Sequence, residues 1–120
     1  DIVSQSESYP LELGGAAGRY GLQFQSGAGL SVQRLQWPLQ LKFRSGGERI
    51  RPAGSAHHRS FKNLCQERGV LPWMRDCLPL LYSGDKLVAV GNLWLDHDTM
   101  AAEGEQGVIP LWLSSSPVSC

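Results

Sequence analysis

A chain of 120 residues has the length of one domain and can bury a modest core without disulfides or metal. Apolar residues make up 42% of it and charged residues 18%, a balance that excludes a disordered chain, and no apolar run is long enough to span a bilayer. The formal net charge is zero, yet the window from Lys42 to Arg75 carries eight of the eleven basic residues (Lys42, Arg44, Arg49, Arg51, Arg59, Lys62, Arg68 and Arg75) against Glu48 and Glu67 alone, so it holds +6 and the remainder −6.

This asymmetry is a better clue to a polyanionic partner than the total charge. The competing reading is a solvated surface with chance clustering. Three cysteines (Cys65, Cys77 and Cys120) form no CxxC pair, so no zinc site is expected. Cys65 and Cys77 read as reduced, buried thiols of a cytoplasmic protein. The chain lacks an initiator Met and a signal peptide, and it reads as a piece of a longer protein. One domain over 1–120 is expected, with an ordered core over about 9–113.

In chain order, residues 1–9 are polar and expected to fray. Tyr20 to Phe24 alternates as a strand, Ser26 to Gly29 turns the chain, and Leu30 to Leu35 suggests a second short strand. Trp37 to Arg44 is a stronger strand: Leu39, Leu41 and Phe43 would face the core, with Gln40, Lys42 and Arg44 outward. Ser45-Gly46-Gly47 breaks it, and Glu48 to His58 reads as a loop. Ser60 offers an N-cap for a short helix to about Arg68, stopped by Gly69. On that helix Phe61, Leu64 and Cys65 share the core face. Pro72 to Asp76 forms a second helical turn. Leu80 to Tyr82 and Lys86 to Val90 read as a β-hairpin across Ser83-Gly84-Asp85. Leu93 to Leu95 extends or bends its second strand, Asp96 to Gly107 is an acidic loop, and Val108 to Leu113 is a last strand that Pro110 marks as an edge. The fold class is α+β: mostly β, a sandwich-like mixed sheet with one or two short helices.

Three short motifs invite chemistry and do not sustain it. Ser45-Gly46-Gly47 resembles the start of an ATP pyrophosphatase phosphate loop, but Glu48-Arg49-Ile50 lacks the Asp and second Ser such a loop needs. A Gly turn reversing a strand is the better reading. His57 and His58 are adjacent and have no acidic partner nearby in sequence, so they read as exposed ring donors beside a basic helix start. Asp96-His97-Asp98 has the composition of a metal cluster, but short Asp/His runs in loops rarely bind anything. No metal and no catalytic set is assigned. Trp37, Trp94 and Trp112 read as core, and Trp73 as partly exposed.

Four ordered blocks carry a family resemblance. They are Phe43 to Pro52, Arg59 to Glu67, Pro72 to Tyr82, and Gly84 to Val90 followed by Leu93-Trp94. Together they resemble the C-terminal domain of bacterial tRNA(Ile)-lysidine synthetases, and Tyr9 to Leu13 looks like the family's entry into that domain. The sequence departs from the pattern at Asn63, where a second Lys is typical, at Cys65 for Phe, at Cys77 for Arg and at Leu71 for Pro.

The resemblance implies an α+β, sandwich-like fold like a module of the phenylalanine tRNA synthetase β subunit. It implies a parent enzyme that joins lysine to the wobble cytidine of isoleucine tRNA, using ATP and Mg on an N-terminal domain absent from this chain. This chain would hold the acceptor stem of isoleucine tRNA, carry no catalytic residue or cofactor, and be inactive alone in the cytoplasm. Candidate RNA-binding residues are Lys42, Arg44, Arg49, Arg51, Arg59, Ser60, Lys62 and Arg75, with Glu48 and Asp76 as candidates to orient the arginines. A structural or dimerisation domain of the same enzyme, with a homodimer as partner, is the alternative.

Overall fold

The computed structural model describes residues 2–3, 11–12 and 19–113. Its strands are β1 (Ile2–Val3), β2 (Leu11–Glu12), β3 (Arg19–Ser26), β4 (Leu30–Ser31), β5 (Leu39–Lys42), β6 (Arg49–Ile50), β7 (Arg59–Ser60), β8 (Leu80–Ser83), β9 (Lys86–Val90), β10 (Trp94–Leu95) and β11 (Gln106–Leu113). Helix α1 spans Phe61–Arg68 and α2 spans Pro72–Arg75. One sheet has the order β1-β5-β8-β9-β10, a second the order β2-β3-β11-β4, and β6 pairs with β7 alone. Every strand pair among the described residues is antiparallel, so the sheets are antiparallel rather than mixed.

The molecule is layered as sheet, sheet, helix. Tyr20, Leu22 and Val108 of the second sheet meet Leu39, Leu41, Leu81, Val88 and Ala89 of the first in one core. On the other face of the first sheet, Leu80, Leu87 and Val90 meet Ile50, Phe61, Leu64 and Cys65 in a second core. The β8–β9 hairpin is therefore buried on both faces, which is why Leu87-Val88-Ala89-Val90 is apolar without a break. A register shift between Leu81 and Tyr82 helps its side chains serve both sides. Trp112 packs against both cores. Tyr20 reaches across the layers, its hydroxyl donating to the Gly91 carbonyl at 3.2 Å, and burial pushes its phenol far above the ordinary range.

The short helix forms as its sequence dictates. The Ser60 hydroxyl accepts from the Asn63 amide, Phe61, Leu64 and Cys65 are buried, and Gly69 closes the end by donating to the Cys65 and Gln66 carbonyls. Helix α2 starts at Pro72, also as expected.

Several elements differ from the sequence expectation. Leu30–Ser31 is a strand, but Val32–Arg34 is a 3-10 turn, because Val32 and Leu35 must both reach the core and a straight strand would turn one of them outward. Phe43 lies beyond the end of β5 and is 41% exposed, so the alternation of core residues stops at Leu41. The stretch from Glu48 to His58 is no simple loop: Arg49–Ile50 pairs with Arg59–Ser60, and Pro52 bridges to Asp96, which anchors the stretch to the main sheet. Pro110 lies in a strand that is inner by order, yet β4 pairs with it at Gly107 and Val108, so beyond that point β3 alone flanks it among the described residues and a missing N–H is tolerated.

Ile2 and Val3, placed in a stretch expected to fray, pair with Gln40 and Leu39 at the edge left open by β5. Cys65 is a buried free thiol as expected. Cys77 is half-buried rather than buried. Of the entry segment Tyr9 to Leu13, Leu11 and Glu12 pair with Tyr20 and Arg19. The rest of that segment, residues 13–18, the Ser-rich tail and Cys120 lie outside the described residues, and with them part of the expected core over 9–113.

Leu81→Ala, in the doubly covered strand, is expected to cost about 2–5 kcal/mol in denaturant unfolding, whereas Leu111→Ala on the open face should stay within about 0.5. Gly107 gives a second check. A Cβ built there would lie 1.8 Å from the Ala28 carbonyl oxygen, so Gly107→Ala must push β11 from the β3–β4 turn and lower the unfolding midpoint well beyond the loss for Gly104→Ala, which has open space around it. Equal losses would refute the close approach.

Candidate nucleic-acid interface

The basic window of the sequence folds around the Gly46-Gly47 bend. Strand β5 runs into the bend, β6 leaves it, and β7 delivers the chain to the start of α1, where the Phe61 amide donates to the Glu48 carbonyl at 2.9 Å. A cleft of about 430 Å³ opens there, lined by Arg44, Gly46, Gly47, Glu48, Ser60, Phe61, Lys62 and Arg75. Beside it, a cleft of about 270 Å³ shares the Ser45-to-Arg49 segment and is closed by Tyr82, Asp85 and Leu87. A wider groove continues past Arg49 and His58 to the tip of the β8–β9 hairpin.

Four of the expected residues, Arg44, Ser60, Lys62 and Arg75, thus line one cleft. Arg49 stands between the two neighbouring grooves and donates to the His58 carbonyl at 3.4 Å. Lys42 lies 4.8 Å above the Tyr82 ring, on the outward face of β5. Arg51 and Arg59 are not among the lining residues. Arg51 donates to the Ser55 carbonyl at 2.7 Å and pairs with Asp98 at 3.0 Å, and Arg59 pairs with Glu67 in the last turn of α1. These contacts pin a loop and a helix. Arg75 is 7% exposed, its Nε donating to the Val70 carbonyl at 3.3 Å.

The two acidic residues expected to orient the arginines behave differently. Asp76 does so, pairing with Arg44 at 2.5 Å. Glu48 turns back on the bend: its carboxylate accepts from the Ser45 amide at 2.6 Å, the Ser45 hydroxyl at 3.1 Å and the Gly46 amide at 3.1 Å. The amides that a phosphate loop would offer its ligand are therefore occupied by the chain's own carboxylate. Gly46 and Gly47 both have positive φ, 115° and 77°, and this bend needs residues without a Cβ. Burial alone would push Tyr82 up, and the Glu48 charge adds to that.

Asp96, His97 and Asp98 point to three different tasks. Asp96 is fully buried, accepts from the Thr99 hydroxyl at 2.5 Å and pairs with Lys86 at 3.0 Å. His97 accepts from the Gly54 amide through Nδ1 at 3.0 Å, and Asp98 holds Arg51. Among the described residues no group of three His, Cys, Asp or Glu side chains could hold a metal ion, and no helix is long and apolar enough to cross a membrane. Trp73 is 57% exposed, as its place on a short turn suggested, whereas Trp37, Trp94 and Trp112 are half-buried. The roles of Asp98, Glu67 and Tyr82 carried no local signal, since each partner is distant or on another element.

Glu48 supplies a pH test of the bend. Partial burial raises its pKa, but the hydrogen bonds from Ser45 and Gly46 together outweigh that and hold it below the ordinary glutamate range. A depressed folded-state pKa means that the bend's stabilisation is complete above the unfolded value and is lost as pH falls through the folded one. The Gly46 amide proton should therefore titrate below the usual glutamate range by NMR, and Glu48→Gln should abolish that step. A Gly46 amide indifferent to pH would refute the contact.

A family model described as the TilS substrate C-terminal domain matches residues 39–112. A tRNA(Ile)-lysidine synthase of Azoarcus sp. (strain BH72) is 38% identical over 104 residues, covering 87% of this chain and 23% of the relative. A tRNA(Ile)-lysidine synthase of Shigella flexneri is 32% identical over 111 residues, covering 92% and 25%. The chain thus spans about a quarter of the length of the curated relatives it matches. A solved structure described as the crystal structure of a TILS C-terminal domain superposes with a TM-score of 0.74, covering 97% of this chain and 98% of that one at 16% identity, a likeness of fold. With the family model matching well over half of its length, the chain belongs to the C-terminal domain family of the tRNA(Ile)-lysidine synthases.

Proposed function

We propose that this domain grips the acceptor stem of isoleucine tRNA on behalf of a lysine-attaching synthase. The observation that carries the reading is the gathering of Arg44, Lys62 and Arg75 at one cleft, with Arg49 and Lys42 beside it. The relatives bear the name of a tRNA-modifying enzyme, and tRNA is a polyanion of the kind such a surface attracts. A-form RNA hides its base edges in a deep major groove, so a protein of this size recognises it through backbone, shape and exposed ends. Arginine suits this work because its planar fork meets two phosphate oxygens or stacks on a base.

On this reading the parent is an ATP-dependent ligase that joins lysine to the wobble cytidine. ATP and Mg serve its catalytic domain, this chain alone is inactive, and the cytoplasm is where it works. Lys42, Arg44, Arg49, Lys62 and Arg75 hold the RNA, with Ser60 setting the start of the helix. Arg51 and Arg59 act one step back, by keeping the β6–β7 segment and α1 in place.

The test is binding of the chain to isoleucine tRNA and to a methionine tRNA across a salt series. With about four cations meeting phosphates, log K should fall against log salt with a slope of roughly −3. The Lys62 side chain makes no ion pair or hydrogen bond among the described residues, and Arg49 makes no ion pair there. Lys62→Glu and Arg49→Glu should each weaken binding about tenfold without lowering the unfolding midpoint, whereas Arg51→Ala should mainly lower stability. Salt-insensitive self-association with no RNA binding would replace this reading by a dimerisation domain.

A further inference from the structure

We propose that the cleft between the Gly46-Gly47 bend and the start of α1 receives a terminal phosphate of the RNA, a 5′-phosphomonoester, with Arg75 at its floor. This rests on the RNA-binding reading above and adds the group that is read. Arg75 is the anomaly that prompts it. Its side chain is packed into the fold, 7% exposed, yet among the described residues no carboxylate pairs with it and its one hydrogen bond, from Nε to the Val70 carbonyl, leaves both Nη nitrogens without a partner. Among the described residues Asp96 Oδ1 is the sealed polar atom that lacks a partner, so the Arg75 Nη atoms are not sealed. They open onto the cleft that Arg75 lines.

A guanidinium taken this far out of water without a counter-ion is costly, and an oxyanion arriving through the cleft offsets that cost. The fork of two Nη nitrogens fits two oxygens of one phosphate.

The groups around the cleft set which phosphate. Asp76 neutralises Arg44, and the Glu48 carboxylate, although part of the lining, is engaged by Ser45 and Gly46. Lys62 and Arg75 remain without an ion pair among the described residues, and both line the cleft. Glu48 keeps its charge, so the Arg75 fork, which meets two oxygens of one phosphate, favours a terminal phosphomonoester rather than the net charge of the cleft. The shape agrees: this cleft is more enclosed than its neighbour, so it suits a chain end rather than a strand that must enter and leave.

The experiment compares two acceptor-stem RNA duplexes that differ in a single group, a 5′-phosphate or a 5′-hydroxyl, for binding to this chain. The phosphorylated duplex is expected to bind about tenfold more tightly, as for a charge-assisted contact at a partly buried site. Inorganic phosphate at millimolar concentration should erase that advantage while sparing the remaining affinity. Arg75→Lys, which keeps the charge and loses the fork, should remove most of the preference, and the exposed Lys62→Gln, whose thermal unfolding should match the parent's, should reduce it. Equal affinity for the two duplexes with a steep salt dependence overturns the phosphate slot and leaves the RNA-binding reading intact. Absence of binding to either duplex overturns both. A preference that survives in both variants also overturns the assignment to this cleft.

Discussion

The β8–β9 hairpin is covered on both faces, by a second sheet on one side and a helix on the other, and the rest of the molecule is arranged around that burial. Leu81, Val88 and Ala89 belong to the core between the sheets, while Leu80, Leu87 and Val90 belong to the core beneath α1. Neither cover is large: β3 and β11 span eight residues each and α1 spans eight. An amphipathic helix of two turns is marginal in water and owes its stability to the surface it packs on. Helix and outer sheet therefore depend on the same hairpin, and damage to it is felt in both cores at once.

That dependence reaches the candidate interface. Arg44 leaves the end of β5, which is paired with β8, and Lys62 sits on the first turn of α1, whose buried face rests on β8 and β9. Arg75 comes from α2, immediately before the chain enters β8. A strand paired with this hairpin, a helix packed on it and the turn that leads into it thus bring three cations to one cleft. The bend between β5 and β6 completes it, held by Glu48 from within.

Space redistributes the charge that the sequence segregates. The window from Lys42 to Arg75 is strongly basic by count, yet Asp76 and Asp98, from outside that window, take up Arg44 and Arg51, and Glu67 within it takes up Arg59. Exposed pairs of this kind contribute little to stability, but they decide which cations face a partner unopposed. The surviving cations are fewer than the sequence suggests and more tightly grouped.

Much was legible from residue order alone. The hairpin, the capped helix from Ser60 to Gly69, the Pro72 turn and the β5 alternation follow from periodicity and capping chemistry, which are local. The family followed from four blocks whose order and spacing are linear properties. Tertiary structure alone decided that Val32–Arg34 turns, that Arg49–Ile50 is a strand and that Phe43 faces out, because each depends on a neighbour distant in sequence. It also separated Arg75 and Lys62 from Arg51 and Arg59. A sequence states which residues carry charge, but whether an arginine meets a carboxylate, a carbonyl or an open cleft is set by elements that only folding brings within a few ångströms.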